Sequence, residues 1–176
     1  SHTIPGKQAS LYTLKNKRLA AFFIFASDKK LSYDYHNNDE KKSLLQKAFR
    51  DVGWECPQIF TKINEGDDFY FDPVSQIHMK SWSKGRVSLI GDACDCPSLL
   101  SGQGSTLAMV GAYILAGELK EANGDYEVAF KKYETIFKPF ITNKQKIAER
   151  LANSFVPKNN FGIWTRNFSS KLLSVR

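Results

Sequence analysis

The chain has 176 residues, 42% hydrophobic and 13% aromatic, with 25 Lys+Arg against 18 Asp+Glu and a formal charge of +7. That composition lies near the globular average and excludes wholesale disorder, a collagen-like repeat and a disulfide-stapled mini-protein. Three cysteines, Cys56, Cys94 and Cys96, cannot all pair, and a bridge across the single residue between Cys94 and Cys96 would be strained, so a reduced, cytoplasmic setting is expected.

The opening SHTIPGKQAS has no initiator Met and no signal or transit pattern, and reads as an internal start. Residues 10–14 (SLYTL) and 19–26 (LAAFFIFA) flank Lys15-Asn16-Lys17-Arg18 and predict a hairpin. Leu44, Leu45, Ala48, Phe49 and Val52 share one helical face, which predicts a helix over 39–52 with Asp39 as N-cap and Gly53 as stop. Residues 58–64 and 68–80 are expected to be strands around an Asn64-Glu65-Gly66-Asp67 turn, because Phe69, Phe71, Ile77 and Met79 alternate. A short strand over 86–90 (RVSLI) ends at Gly91-Asp92, a loop follows over 94–104, and 105–121 is an apolar helix stopped at Asn123-Gly124. In that helix Gly111 and Gly117 are expected to permit close packing. Residues 125–138 are amphipathic, Pro139 is expected to break or kink them, 141–153 continue helically, and a last helix is placed near 161–173.

The basic excess falls at the end, with 10 Lys+Arg and 4 Asp+Glu over 123–176. Lys131, Lys132, Lys138, Lys144, Lys146 and Arg150 alternate there with apolar positions, which fits solvated helix faces better than a nucleic-acid surface. Cys96 to Gly117 is free of charge, yet Pro97, Gln103 and four glycines interrupt it and its helical part is short of the ~20 residues a bilayer needs. A buried helix is expected, not a membrane span.

The chemistry concentrates in residues 91–119, GDACDCPSLLSGQGSTLAMVGAYILAGEL. A strand delivers Gly91-Asp92 at its carboxyl end, where an ionised Asp can accept hydrogen bonds from ligand hydroxyls such as those of a ribityl chain. Farther on, Gly102-Gln103-Gly104 allows close backbone approach, and a helix starting at Ser105 aims free N–H groups and its positive dipole end at a flat or anionic group.

This segment resembles the second flavin-contacting motif of the FAD-dependent aromatic-hydroxylase family, the p-hydroxybenzoate hydroxylase-like and tetracycline monooxygenase-like proteins. Their pattern is roughly GDAAH, six residues, then GQG and an apolar helix. Trp82 to Ile90 resembles the family's lead-in strand, and GAYILAGEL its helix. The resemblance implies that Gly91 and Asp92 hold the ribityl chain of FAD. It also implies that Gly102, Gln103 and Gly104, with the amides of Ser105 and Thr106, lie against the pyrimidine edge of the ring, and that Leu99 and Leu100 line its substrate side. Implied too are FAD and NAD(P)H as cofactor and reductant, reaction of reduced flavin with O2, and hydroxylation of an aromatic or polycyclic small molecule. No residue is assigned as a catalytic acid or base.

The chain departs from the pattern in three places: Asp95 stands where His is usual, Pro97 is displaced, and Thr106 replaces a helix Asn. The family's N-terminal G-x-G-x-x-G unit, which binds the ADP half of FAD, is not found in these 176 residues; Gly102-x-Gly104 is followed by Leu107 at the third glycine position.

The fold class expected is α+β: an antiparallel sheet, a strand–loop–helix unit and C-terminal helices, forming the C-terminal part of an α/β FAD-binding, Rossmann-like monooxygenase. Its segments are a substrate-side sheet over 1–80, a flavin-contacting unit over 81–122 and a helical segment over 123–176. The missing N-terminal half is an expected partner. The alternative is a non-catalytic or vestigial binding module that cannot hold FAD alone. A metal site at Asp92, Cys94, Asp95 and Cys96 is disfavoured, since no C-x-x-C or His pair completes it.

Overall fold

The computed structural model describes residues 1–66 and 68–173 and is α+β, with two compact units. The first comprises Ser1–Asp72 and the chain from Asn153, and the second is Pro73–Ala152.

In the first unit, β1 (His2–Ile4), β2 (Lys7–Thr13) and β3 (Leu19–Phe25) form an antiparallel sheet in that order. Ala9 pairs with Phe23 and Thr13 with Leu19, so the expected hairpin forms, closed by a 3-10 turn over Lys15–Lys17. The helix α1 (Asn38–Ala48) begins one residue earlier than read, because the Asn37 side chain accepts from the Glu40 amide at 3.0 Å. Leu45, Phe49, Val52, Cys56 and Ala9 form the buried core here, with Phe23, Phe25, Phe69 and Phe71 packed on it.

Two expected strands do not form. Cys56–Thr61 is a helix, α2, with Pro57 in its first turn, where a missing N–H costs nothing. Its apolar Cys56, Ile59 and Phe60 and the following Ile63 sit at helical spacing, which the strand reading overlooked. Residues 68–80 carry no ladder; of the expected turn, Asp67 lies outside the described residues. A last helix of this unit, α6 (Asn160–Leu173), is close to the range read, and its Arg166 donates to Gln8 Oε1 and Thr3 Oγ1, each at 3.0 Å.

The second unit is built on α4 (Gly104–Glu121) and α5 (Tyr126–Phe155). Before them come β4 (Ser83–Lys84) and β5 (Val87–Ser88), a two-residue ladder around Gly85, and the single-turn helix α3 (Asp92–Asp95). The strand read over 86–90 is therefore shorter. Trp82, Cys94, Leu107, Tyr133, Phe137 and Ile141 form its core. Of the break or kink expected at Pro139, the break does not occur, since α5 runs through it. The ring is exposed, while Tyr133, Phe137 and Ile141 bury the opposite face on both sides of it, and that packing outweighs one lost backbone bond.

Glu134 fastens the entry to this unit: its Oε1 accepts from the Trp82 amide at 2.8 Å and from the Ser81 and Ser83 hydroxyls at 2.9 Å each. Burial works against its charge, but these bonds and Lys138 prevail and hold its carboxyl below the usual range.

Candidate functional site

The 91–106 segment is held by three local devices. Gly91 has φ 64°, and a Cβ there would stand 3.3 Å from the Cβ of Ala108, so both conformation and α4 packing demand glycine. The Cys94 and Asp95 amides then close a helical turn onto the Gly91 carbonyl at 3.0 and 2.9 Å. Ser98, 6% exposed, adopts φ 96°, a conformation costly for an L-residue, and is stabilised there because its hydroxyl accepts from the Leu100 amide and its carbonyl from the Ser101 hydroxyl. Gly102 is left-handed at φ 62° and turns the chain into α4.

The outcome is convergence. Asp92 Oδ1 lies 3.6 Å from the point where a Cβ on Gly104 would stand, so the Gly-Asp and Gly-Gln-Gly ends of the loop meet. Helix α4 begins at Gly104 with Gln103 as N-cap and no side-chain cap, which leaves its first-turn N–H groups available to a ligand. Asp92, Gln103, Ser105 and Thr106 are exposed, and Gly102 is open to solvent. The structure separates the two leucines: Leu99 is exposed, whereas Leu100 is buried.

A long-range anchor missed in the sequence fixes the middle of the loop. Gln145 on α5, nearly buried, donates from Nε2 to the carbonyls of Ile77 at 2.7 Å and Cys96 at 3.2 Å. Gln76 Nε2 donates to the carbonyls of Pro97 at 3.0 Å and Gln145 at 2.9 Å. Nothing local marks these glutamines, since their partners are as many as 69 residues away.

The Cys56 and Cys94 thiols are poor nucleophiles. Burial, and then the neighbouring Asp95, push the Cys94 thiol up to about 11, and burial raises Cys56 as well. Among the described residues no group of three or more His, Cys, Asp or Glu is placed to hold a metal ion. Among the described residues no helix is long and apolar enough to cross a membrane.

Gly91-Asp92 begins a helical turn beyond the short β4–β5 ladder, Ser98 makes a strained turn, and Gly-Gln-Gly opens an uncapped apolar helix. No protein-family profile matches the chain. It is 49% identical over 140 residues to a flavin-dependent monooxygenase from an unknown prokaryotic organism, covering 80% of this chain and 36% of that protein. It is 46% identical over 154 residues to a flavin-dependent monooxygenase of Legionella longbeachae, covering 87% and 39%. Among solved structures, the tetracycline destructase Tet(55) superposes with a TM-score of 0.83 at 38% identity, over 94% of this chain and 44% of that one. The tetracycline destructase Tet(51) does so with a TM-score of 0.76 at 38% identity, over 96% and 44%. The chain is thus similar to the flavin-dependent monooxygenases over most of its own length, and spans less than half the length of the relatives it matches.

Proposed function

We propose that this chain is the flavin-ring side of an FAD-dependent, NAD(P)H-using monooxygenase that hydroxylates an aromatic or polycyclic small molecule in a reducing, cytoplasmic setting. The carrying observation is the meeting of Asp92 with Gly104 at the uncapped start of α4. A side chain at Gly104 would fill that cradle, and the donor set suits a ribityl hydroxyl beside an electron-rich ring edge.

In this reading Asp92 accepts from the ribityl chain, and the Gly102 to Thr106 backbone approaches the pyrimidine edge. There the amides and dipole of α4 favour negative charge. FAD supplies the redox and oxygen chemistry, while the chain orients it and shapes its electrostatics. The name of the structural neighbours makes a tetracycline the first polycyclic substrate to try.

The ADP half would be held by an N-terminal G-x-G-x-x-G unit outside these 176 residues. Its absence here is supported by an uncovered apolar stripe: Met109, Val110 and Tyr113 continue the face of α4 that starts at Thr106, with Met109 66% and Tyr113 82% exposed.

Native mass spectrometry and FAD titration of the chain, alone and within the polypeptide its reading frame encodes, test this. Asp92→Ala is expected to weaken FAD about tenfold or more in the longer polypeptide; unchanged retention would sink the assignment. A second reading, a non-catalytic module, draws on the open, solvent-exposed site, and would be favoured if the whole encoded polypeptide binds no flavin.

A further inference from the structure

Asp95 ends α3 with its side chain 0% exposed, and among the described residues neither of its carboxylate oxygens has a hydrogen-bond partner. Its Oδ2 lies 3.4 Å from the point where a Cβ on Gly111 would stand, and that point is 2.8 Å from Phe137 Cε1. The carboxyl is therefore packed against the backbone of α4 and an aromatic edge. The Gly91 amide is near enough to favour the charged form slightly, but forms no hydrogen bond of ordinary length and angle with it.

A carboxylate so placed is costly as an anion and tolerable as a neutral acid. Burial, and then the charge of Asp92, push its pKa up to about 6. The other titratable groups around it are Cys94 on its own turn and Tyr133 on α5, with Glu134 and Lys138 beyond Cys94; α4 presents Gly111. Cys94 and Tyr133 are both raised, chiefly by burial, and stay neutral where Asp95 titrates.

The ionised acid has one relief besides a proton, which is to turn out to water. That motion unwinds α3, a single turn, and Asp92 rides on the same turn. Asp92 then leaves Gly104, while Gln145 keeps holding the Cys96 carbonyl, so the displacement falls on the candidate ligand side.

We propose that Asp95 is a positioning residue whose bound proton holds the 91–104 loop in its flavin-ready arrangement, and whose loss of that proton to water loosens the loop and weakens its hold on flavin. For its ligand this rests on the flavin reading; for the proton-held loop it does not.

Amide hydrogen exchange over residues 91–106, corrected for intrinsic rates, tests it at about pH 5 and about pH 7.5, alongside flavin affinity. The chain is compared with Asp95→Asn and, should that fold poorly, Asp95→Ala. The unaltered chain is expected to lose about tenfold or more of its protection in this segment at the higher pH, with a parallel loss of flavin affinity. Either variant is expected to hold both nearly constant. Protection that does not change with pH, or that falls equally in the variants, overturns the proposal, and so does flavin affinity that ignores pH while the loop loosens. With flavin affinity read on the whole encoded polypeptide, no flavin binding at any pH, with the exchange shift present and abolished by the variants, sinks the flavin reading and upholds the proton-held loop.

Discussion

Two glycines on one helix, alike in sequence, have opposite environments. Gly111 faces the buried Phe137 ring, and a methyl there would approach Cε1 to 2.8 Å; around Gly117 nothing stands within 4 Å. Close packing was expected of both, and only Gly111 provides it. Gly111→Ala is expected to destabilise the chain by about 1–3 kcal/mol, since Phe137 has no free space to move into. Gly117→Ala should instead stabilise it by roughly 0.5–1 kcal/mol through helix propensity and a less free unfolded chain. Urea unfolding of the two variants decides this, and equal effects would contradict it. The same contrast explains what was readable at residue scale. The placing of Asp92 and Gly102-Gln103-Gly104 at the two ends of one loop was legible because local spacing around a turn sets it. Asp95, Ser98 and Gln145 were not, because burial and partners on α4 and α5 define them, and an isolated sequence does not show which side chain meets which.

At the scale of elements, legibility followed period and length. Helix α4 and the β2–β3 hairpin were readable as elements, since a long apolar run and two β-rich runs about a polar turn have few competing interpretations, but α4 is not the buried helix expected, because Met109 and Tyr113 lie exposed. Cys56–Thr61 was misread because six residues can satisfy either period, and Pro57 at the first turn was the overlooked signal. Residues 68–80 alternate as a strand should, yet Phe69 and Phe71 pack onto the first core while Gln76 and Ile77 bond to Gln145 and Cys96; alternation reports a buried face, not a partner strand. Pro139 shows that tertiary packing overrides a breaker. Its cost still persists inside α5: the proline lacks the amide that would bond to the Thr135 carbonyl. Pro139→Ala should therefore raise stability by about 1–3 kcal/mol, read as a higher urea midpoint with an unchanged slope. A lower midpoint would mean that the exposed ring has a packing role.

For the molecule as a whole, two acids of the second unit, the buried Asp95 and the half-buried Glu134, oppose each other in their response to pH. Asp95 has its pKa raised from 3.8 to about 6, so the stability it permits is fully present below about pH 3.8 and is lost as pH rises through 6. The loss is bounded at roughly 3 kcal/mol, from about two pH units at 1.36 kcal/mol each. Glu134 has its pKa lowered from 4.5, so its contribution is present above that value and disappears as pH falls through the lower, folded one. Stability should thus peak at mildly acidic pH, decline to a lower plateau beyond about pH 6–7, and fall again in strong acid. Near-UV circular dichroism of the buried Trp82 reports this unit, with the exposed Trp54 and Trp164 replaced by Phe. Asp95→Asn should abolish the decline toward neutral pH and leave the acid limb; Glu134→Gln should flatten the acid limb and leave the other. The two limbs are separable because each carboxyl has its own partners: Glu134 is ringed by donors from Ser81, Trp82 and Ser83, whereas Asp95 has none among the described residues. If Asp95→Asn leaves the neutral-side decline intact, the buried acid is ionised in the folded chain, and a donor must reach it that this packing does not show.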